Sequence, residues 1–155
     1  MFYDHIQYGR FHLFLYPVGL IMLFLAYTLE EEPVARISLL IGGLLVCVVT
    51  SSFHWLNIRD DGDSLLVRFG PVPILGTRIP YDQIEEVAAD KSSFLDGWGV
   101  HWTPGRGTTY NIWGFDCVRL RVRGRIIRLG TDDQANLIAF LQEKLRSRGR
   151  MARFE

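Results

Sequence analysis

Two cysteines in 155 residues are too few for a disulfide framework, and neither stands in a metal-spaced motif. Cys47 lies in a continuous apolar run and Cys117 at the start of an alternating stretch. The two are not expected to meet in a bridge, and reduced thiols suit a domain on the cytoplasmic side. Net charge is missing as well. Seventeen Lys and Arg balance seventeen Asp and Glu, which excludes a nucleic-acid binder working through a whole-molecule positive field. Extended disorder is excluded from the other side, by 48% hydrophobic and 13% aromatic residues. Catalytic constellations are also lacking. His101 falls in an expected strand between Val100 and Trp102 with no orienting partner or nucleophile in view, and Gly105-Arg106-Gly107 follows Pro104 between strands and opens no helix. The sequence assigns no catalytic residue, metal, cofactor or small-molecule substrate, and neither an enzyme nor a nucleic-acid partner is expected.

Charge is most conspicuously absent from two long stretches. Residues 11–29 and 37–56 contain no Asp, Glu, Lys or Arg. As a helix the first spans roughly 28 Å at about 1.5 Å per residue, which matches the hydrocarbon core of a bilayer. The short acidic link Glu30-Glu31-Glu32-Pro33 forces an antiparallel hairpin, expected as transmembrane segments 11–29 and 34–56 after a cytoplasmic N-terminus, 1–10. A chain this small cannot cover two such helices with its remaining residues, and a cleavable signal fits poorly, because no small-residue cleavage site precedes Glu30. Arg10 and Arg59 flank the pair on one side and the acidic link lies on the other, so both termini are expected in the cytoplasm.

Within the hairpin, Gly43, Cys47 and Ser51 fall at four-residue spacing and form a small-residue stripe for close helix packing, against the first helix or another subunit. Pro17 is expected to bend the first helix, as an ordinary irregularity of membrane helices rather than a hinge. His12 and His54 should lie at similar depth on adjacent helices. A shared metal or haem is one reading of that pair. The favoured one is two interfacial histidines bonded to water, headgroups or hydroxyls.

Beyond residue 56 the pattern changes to short alternating stretches broken by Gly, Pro and Asp, which predicts antiparallel strands at 55–59, 64–69, 77–80, 84–91, 99–103, 109–113, 117–123 and 125–129. Asp60-Asp61-Gly62-Asp63 reads as a hairpin turn; it lacks the spacing and closing Glu of a calcium loop. Val118, Leu120 and Val122 alternate with Arg119, Arg121 and Arg123 before Gly124, so one face enters the core and the other is cationic. Thr131 can cap a helix carrying Leu137, Ile138, Leu141 and Leu145 at helical spacing. This places a domain at 57–147 and a basic tail at 148–155.

About seven antiparallel strands closed by one C-terminal helix is the order of a partly open pleckstrin-homology-like barrel, an α+β fold. The Phe69-Gly70-Pro71 step, Ile79-Pro80-Tyr81 leading to Ile84 and Val87, Gly97-Trp98-Gly99-Val100, Tyr110-Asn111 and Leu129-Gly130-Thr131-Asp132 follow in succession behind the hairpin. In that succession the chain resembles small bacterial inner-membrane proteins carrying a pleckstrin-homology-like domain. The resemblance covers nearly the whole chain. It implies a non-enzymatic cytoplasmic module tethered to the inner membrane, of a kind that in several relatives forms rings.

Two functions follow as expectations. One is an interaction or scaffold module acting by self-association or by docking another membrane protein. The other is a module responsive to anionic lipid through Arg119, Arg121, Arg123, Arg125 and Arg128, against which stands a solvated face paired with neighbouring carboxylates. Phosphoinositide binding at the loop of residues 59–63 is not expected, because its three carboxylates repel phosphate. Phe94 and Leu95, between polar neighbours, are expected to dock a partner, dip into lipid or fold over a barrel mouth. The neutral total hides a polarity: residues 1–56 carry two basic against four acidic groups, and from Asp116 onward ten basic face five acidic ones.

Overall fold

The chain enters a β-sheet before it enters a helix. The computed structural model describes residues 2–29, 32–93 and 97–149, and the backbone of 153–154. Strand β1 (Asp4–Tyr8) pairs antiparallel with β2 (Trp55–Asp60), from Asp4 opposite Arg59 to Tyr8 opposite Trp55. Between these paired strands lie helices α1 (His12–Thr28) and α2 (Pro33–Thr50), which therefore stand where a β-hairpin would have its turn. The Gly9 amide donates to the His54 carbonyl at 3.0 Å, closing the ladder just below the helices. The sequence expectation left 1–10 without structure. Five residues are a weak strand signal by themselves, and β1 gains its stability from its partner.

The two helices pack antiparallel. Tyr16 meets Ser51, Gly19 meets Cys47, and Leu23 meets Gly43, so rising positions in α1 face falling ones in α2. Pro33 begins α2, at the position where a missing N–H costs nothing. Helix α1 runs on through Pro17. Helix α2 is long and apolar enough to cross a membrane, with 18 residues and a mean hydropathy of 2.0, and 11% of it is buried in the protein. At 17 residues α1 is a shorter apolar helix.

The remaining elements form an α+β arrangement. Strands β2, β3 (Ser64–Gly70) and β4 (Gly76–Pro80) extend the first sheet in the order β1-β2-β3-β4, antiparallel throughout. The second sheet has the order β10-β5-β8-β9-β7-β6. It contains β5 (Ile84–Lys91), β6 (Gly99–Thr103), β7 (Gly107–Asn111), β8 (Asp116–Val122), β9 (Arg125–Gly130) and β10 (Arg153–Phe154). It is mixed, because β7 runs parallel to β9 and β10 parallel to β5. The expectation of about seven strands, all antiparallel, is corrected on both counts. Local alternation reveals a strand but not which neighbour it takes, and β9 inserts between β8 and β7 instead of leaving them adjacent.

Helix α3 (Gln134–Ser147) buries Leu137, Phe140, Leu141 and Leu145 among side chains of both sheets, including Ile58, Phe69, Val118 and Leu120. Each such burial stabilises the fold by roughly 1.5–3 kcal/mol. Thr131 does not cap this helix directly. Its hydroxyl accepts a hydrogen bond from the Asp133 amide at 3.0 Å, shaping the turn from which α3 starts. The turn expected at residues 60–63 does join β2 to β3, with Asp60 closing β2 and Gly62 at a φ of 75° that other residues reach at a cost.

Candidate functional site

The first cluster of polar side chains lies where the helices leave the sheet. His12 and His54 stack face to face, with ring centres 4.2 Å apart and 13° between planes. The hydrogen bonds around them fix which nitrogens carry protons. Ser51 donates to the Cys47 carbonyl at 2.9 Å, so it accepts from the Tyr16 hydroxyl at 3.0 Å. Tyr16, its one proton used, then accepts from His54 Nε2 at 2.9 Å. His12 Nδ1 donates to the Phe53 carbonyl at 3.3 Å. One nitrogen of each ring is thus engaged, which leaves the other. Lone pairs on imidazole lie in the ring plane, so two stacked rings aim theirs in parallel planes and do not converge on one ion. The shared metal or haem does not fit this geometry. The pair instead ties α1 to the residues following α2.

An aromatic shelf sits under the same junction. Phe11 packs edge-on against Phe53 at 5.9 Å and lies 5.6 Å from Trp98, which stacks on Trp113 at 5.0 Å. Four distant segments thus meet at the foot of α1. The small-residue stripe faces the first helix: a Cβ added to Gly43 would lie 2.9 Å from Leu23 Cγ, and one added to Gly19 would lie 2.6 Å from Cys47 Sγ. Of the two partners left open for Gly43, Cys47 and Ser51, α1 is the one that occupies the stripe. Cys117 is buried in β8, far along the chain from Cys47, and the two form no disulfide.

The arginine face is largely engaged in place. Arg119 and Arg121 both pair with Glu86, at 2.7 and 3.1 Å, and Arg128 pairs with Asp90 at 2.7 Å. Arg128 also donates to the Arg106 carbonyl and is only 6% exposed, so it is part of the fold's interior. A carboxylate-paired row describes Arg119 and Arg121 better than a lipid-facing one, and Arg128 is paired inside the fold. Arg123 and Arg125 lie apart, exposed at the β8–β9 turn. That turn is at the end of the sheet opposite the aromatic shelf, separated from it by the length of β9, roughly 16 Å. Phe94 and Leu95 lie outside the described residues.

A third cluster locks α3 to the turn at 61–63. Asp60, 7% exposed at its side chain, accepts from Lys144 Nζ at 2.7 Å and from the Tyr81 hydroxyl at 2.9 Å. Burial works to raise the Asp60 carboxyl, but the Lys144 and Tyr81 hydrogen bonds, the Lys144 charge and the Gly62 amide outweigh it, so its pKa falls below the ordinary aspartate value. Burial, with the Asp60 carboxylate beside it, pushes the Tyr81 phenol well up. Arg148 bonds Asp63 at 2.8 Å and covers the Tyr81 ring. The loop that the sequence judged hostile to phosphate is therefore closed by Lys144 of α3 and by Arg148 just beyond its end.

Sequence reasoning did not assign Gly19 or Trp113 to this junction. Gly19 had a usable signal, a small residue amid bulky ones in an apolar helix. The contact between Trp98 and Phe11 had none, since no periodicity links residues so far apart. Among the described residues no three His, Cys, Asp or Glu side chains are grouped to hold a metal ion. The chain matches no family model and no curated protein.

Proposed function

We propose that this protein is a non-enzymatic, membrane-anchored interaction or scaffold module of a bacterial inner membrane. In this reading α1 and α2 cross the bilayer as a hairpin, both termini are cytoplasmic, and the two sheets with α3 form a pleckstrin-homology-like domain on the cytoplasmic face. It acts by self-association or by docking another membrane protein, with lipid as its surroundings. One observation carries the reading: Phe14, Ile21 and Phe24 of α1 and Ile37, Ile41 and Leu44 of α2 are all exposed, although the chain has a separate, well-filled core. Such a surface in water is a liability, and lipid removes it. The 17 residues of α1 reach about 26 Å, within what local bilayer thinning accommodates. Continuity of β1 into α1 and of α2 into β2 supports a domain held close to the membrane without a long linker. The pleckstrin-homology-like reading rests on two packed sheets with a closing C-terminal helix; the parallel β7–β9 pair is a departure from it.

The test is expression of the full chain in a bacterium, followed by alkaline carbonate washing and native mass measurement in mild detergent. The protein is expected to stay with the membrane and to run as an oligomer or with a co-purifying membrane protein. Release by carbonate overturns the anchor, and a strictly monomeric, partnerless protein overturns the scaffold. Reporter fusions at the acidic link and at the C-terminus should report opposite sides of the membrane.

A further inference from the structure

We infer that the connection between β3 and β4, residues 71–75, is a third contact with the bilayer, and that Pro73 and Ile74 at its tip enter the boundary between lipid headgroups and acyl chains. The inference deepens the membrane-anchored reading and rests on α2 crossing the bilayer. Register fixes where the connection stands. Trp55 at the start of β2 pairs with Gly70 at the end of β3, and Arg68 pairs with Gly76, so β3 and β4 are joined at the end of the first sheet that carries the helices. Two hydrogen bonds hold it there: the Ser52 hydroxyl donates to the Val72 carbonyl at 2.8 Å, and the His54 amide donates to the Gly70 carbonyl at 3.1 Å. Ser52 is two residues past the end of α2. The 18 residues of α2 reach about 27 Å, close to the thickness of a hydrocarbon core, so a helix that spans it puts Ser52, and Val72 with it, at the cytoplasmic boundary.

The residues of this connection differ from those at the other end of the same sheet. There β2 is joined to β3 through Asp61-Gly62-Asp63, and β4 is followed by Tyr81-Asp82-Gln83, whose Tyr81 amide donates to the Asp63 carbonyl at 3.1 Å. Turns that face water are ordinarily built from polar residues and glycine. Pro71-Val72-Pro73-Ile74-Leu75 contains no polar side chain at all. The fold accounts for its inner part: Leu75 packs against the core, and its carbonyl accepts from the Phe69 amide at 3.1 Å. The outer part is left uncovered. Pro73 is exposed and Ile74 is 56% exposed, with the Ile74 amide bonded to the Val72 carbonyl at 2.9 Å.

The surroundings at this depth point to lipid as the cover. Val48 and Val49 in the last turn of α2 are exposed as well, so the apolar surface of the helix extends down to the level of the loop. Tyr8, 70% exposed, pairs with Trp55 across the strands at the same end. Aromatic side chains with polar tips are the chemistry of a headgroup layer. An apolar tip beside such residues, where the helices emerge, gives the sheet domain a fixed seat on the membrane surface.

The test places a nitroxide on single cysteines in a Cys47→Ala/Cys117→Ala full chain, reconstituted into vesicles of phosphatidylethanolamine and phosphatidylglycerol. Collisions are read with oxygen, which concentrates in lipid, and with a water-soluble nickel chelate. Ile74→Cys at the tip is compared with Ile41→Cys midway along α2 and with Asp82→Cys, exposed at the far end of the sheet. The tip label is expected to show an oxygen-to-nickel ratio at least about threefold above the Asp82 label and below the Ile41 label. With the label moved to Pro73→Cys, Ile74→Asp should return it to the Asp82 value. A tip as open to nickel as Asp82 overturns the inference, as does a Pro73 label indifferent to Ile74→Asp. A tip shielded from both reagents reports a protein cover and overturns it as well. Any of these results beside a lipid-exposed Ile41 label leaves the anchor standing, whereas an Ile41 label open to water removes the anchor and the inference together, so the two failures are distinguishable.

Discussion

Leu44 in α2 and Leu120 in β8 are the same side chain in opposite circumstances, the first 57% exposed and the second fully buried. The sheet domain is organised around a core that both sheets and α3 fill, whereas the helical hairpin presents its apolar side chains outward and reserves its small residues for the contact between helices. A core drives water off its own side chains. In the proposed reading the hairpin meets a solvent that is already apolar, and packs by close approach instead. The two regions should therefore respond oppositely to the same perturbation.

Truncating the core should have the largest effect. Phe140→Ala removes a ring stacked on Tyr3 and packed near Tyr81, and should lower domain stability by about 3–5 kcal/mol in chemical unfolding while leaving membrane retention unchanged. Next comes Ile41→Asp on the outer surface of α2. If lipid meets that face, a charge mid-helix costs about 2.5–3.5 kcal/mol of insertion, read as loss of the carbonate-resistant fraction; an exposed site in water would change by less than about 0.5 kcal/mol. An unaffected Ile41→Asp protein would erase the contrast between the two regions.

Lys144→Met leaves the Asp60 carboxylate without its charged partner and should cost about 1.5–3 kcal/mol. The same variant tests the pH dependence. Asp60 titrates below its ordinary value of 3.8 in the folded chain, so its contribution is complete above that value and disappears as pH falls through the lower folded one. Acid unfolding of the domain should thus be less steep in Lys144→Met. At the alkaline end the raised Tyr3 and Tyr81 phenols act in the other sense, withdrawing stability once the pH exceeds the ordinary tyrosine value of 10.0. The smallest effect is expected for Arg121→Gln, whose half-exposed pairing with Glu86 is duplicated by Arg119 and is worth about 0–1 kcal/mol.

Much of the domain was legible as elements. The alternation from Val118 to Val122, the turn at Gly62 and the leucines of α3 all stand where periodicity places them, because each signal spans only a few residues. The arginine face illustrates the opposite limit. Its alternation was visible, but Glu86 and Asp90 sit on another strand, and only their registry with β8 and β9 turns a cationic stripe into a row of ion pairs. His12 and His54 were placed at matching depth by counting along two helices. Their stacking, and the tautomers that follow from it, depended on Tyr16 and Ser51 as well.

Composition and order along the chain determined the two apolar runs, the acidic link between them, the strand-rich remainder and the closing amphipathic helix. These are properties of short segments, set by side-chain transfer energies and backbone preferences. Tertiary structure alone decided that the first strand belongs beside the second, that β9 enters between β8 and β7, and that β6 has no further strand beside it among the described residues. Those outcomes depend on which partners satisfy a backbone hydrogen bond across the sheet, and a residue's own neighbours in sequence carry no record of that choice.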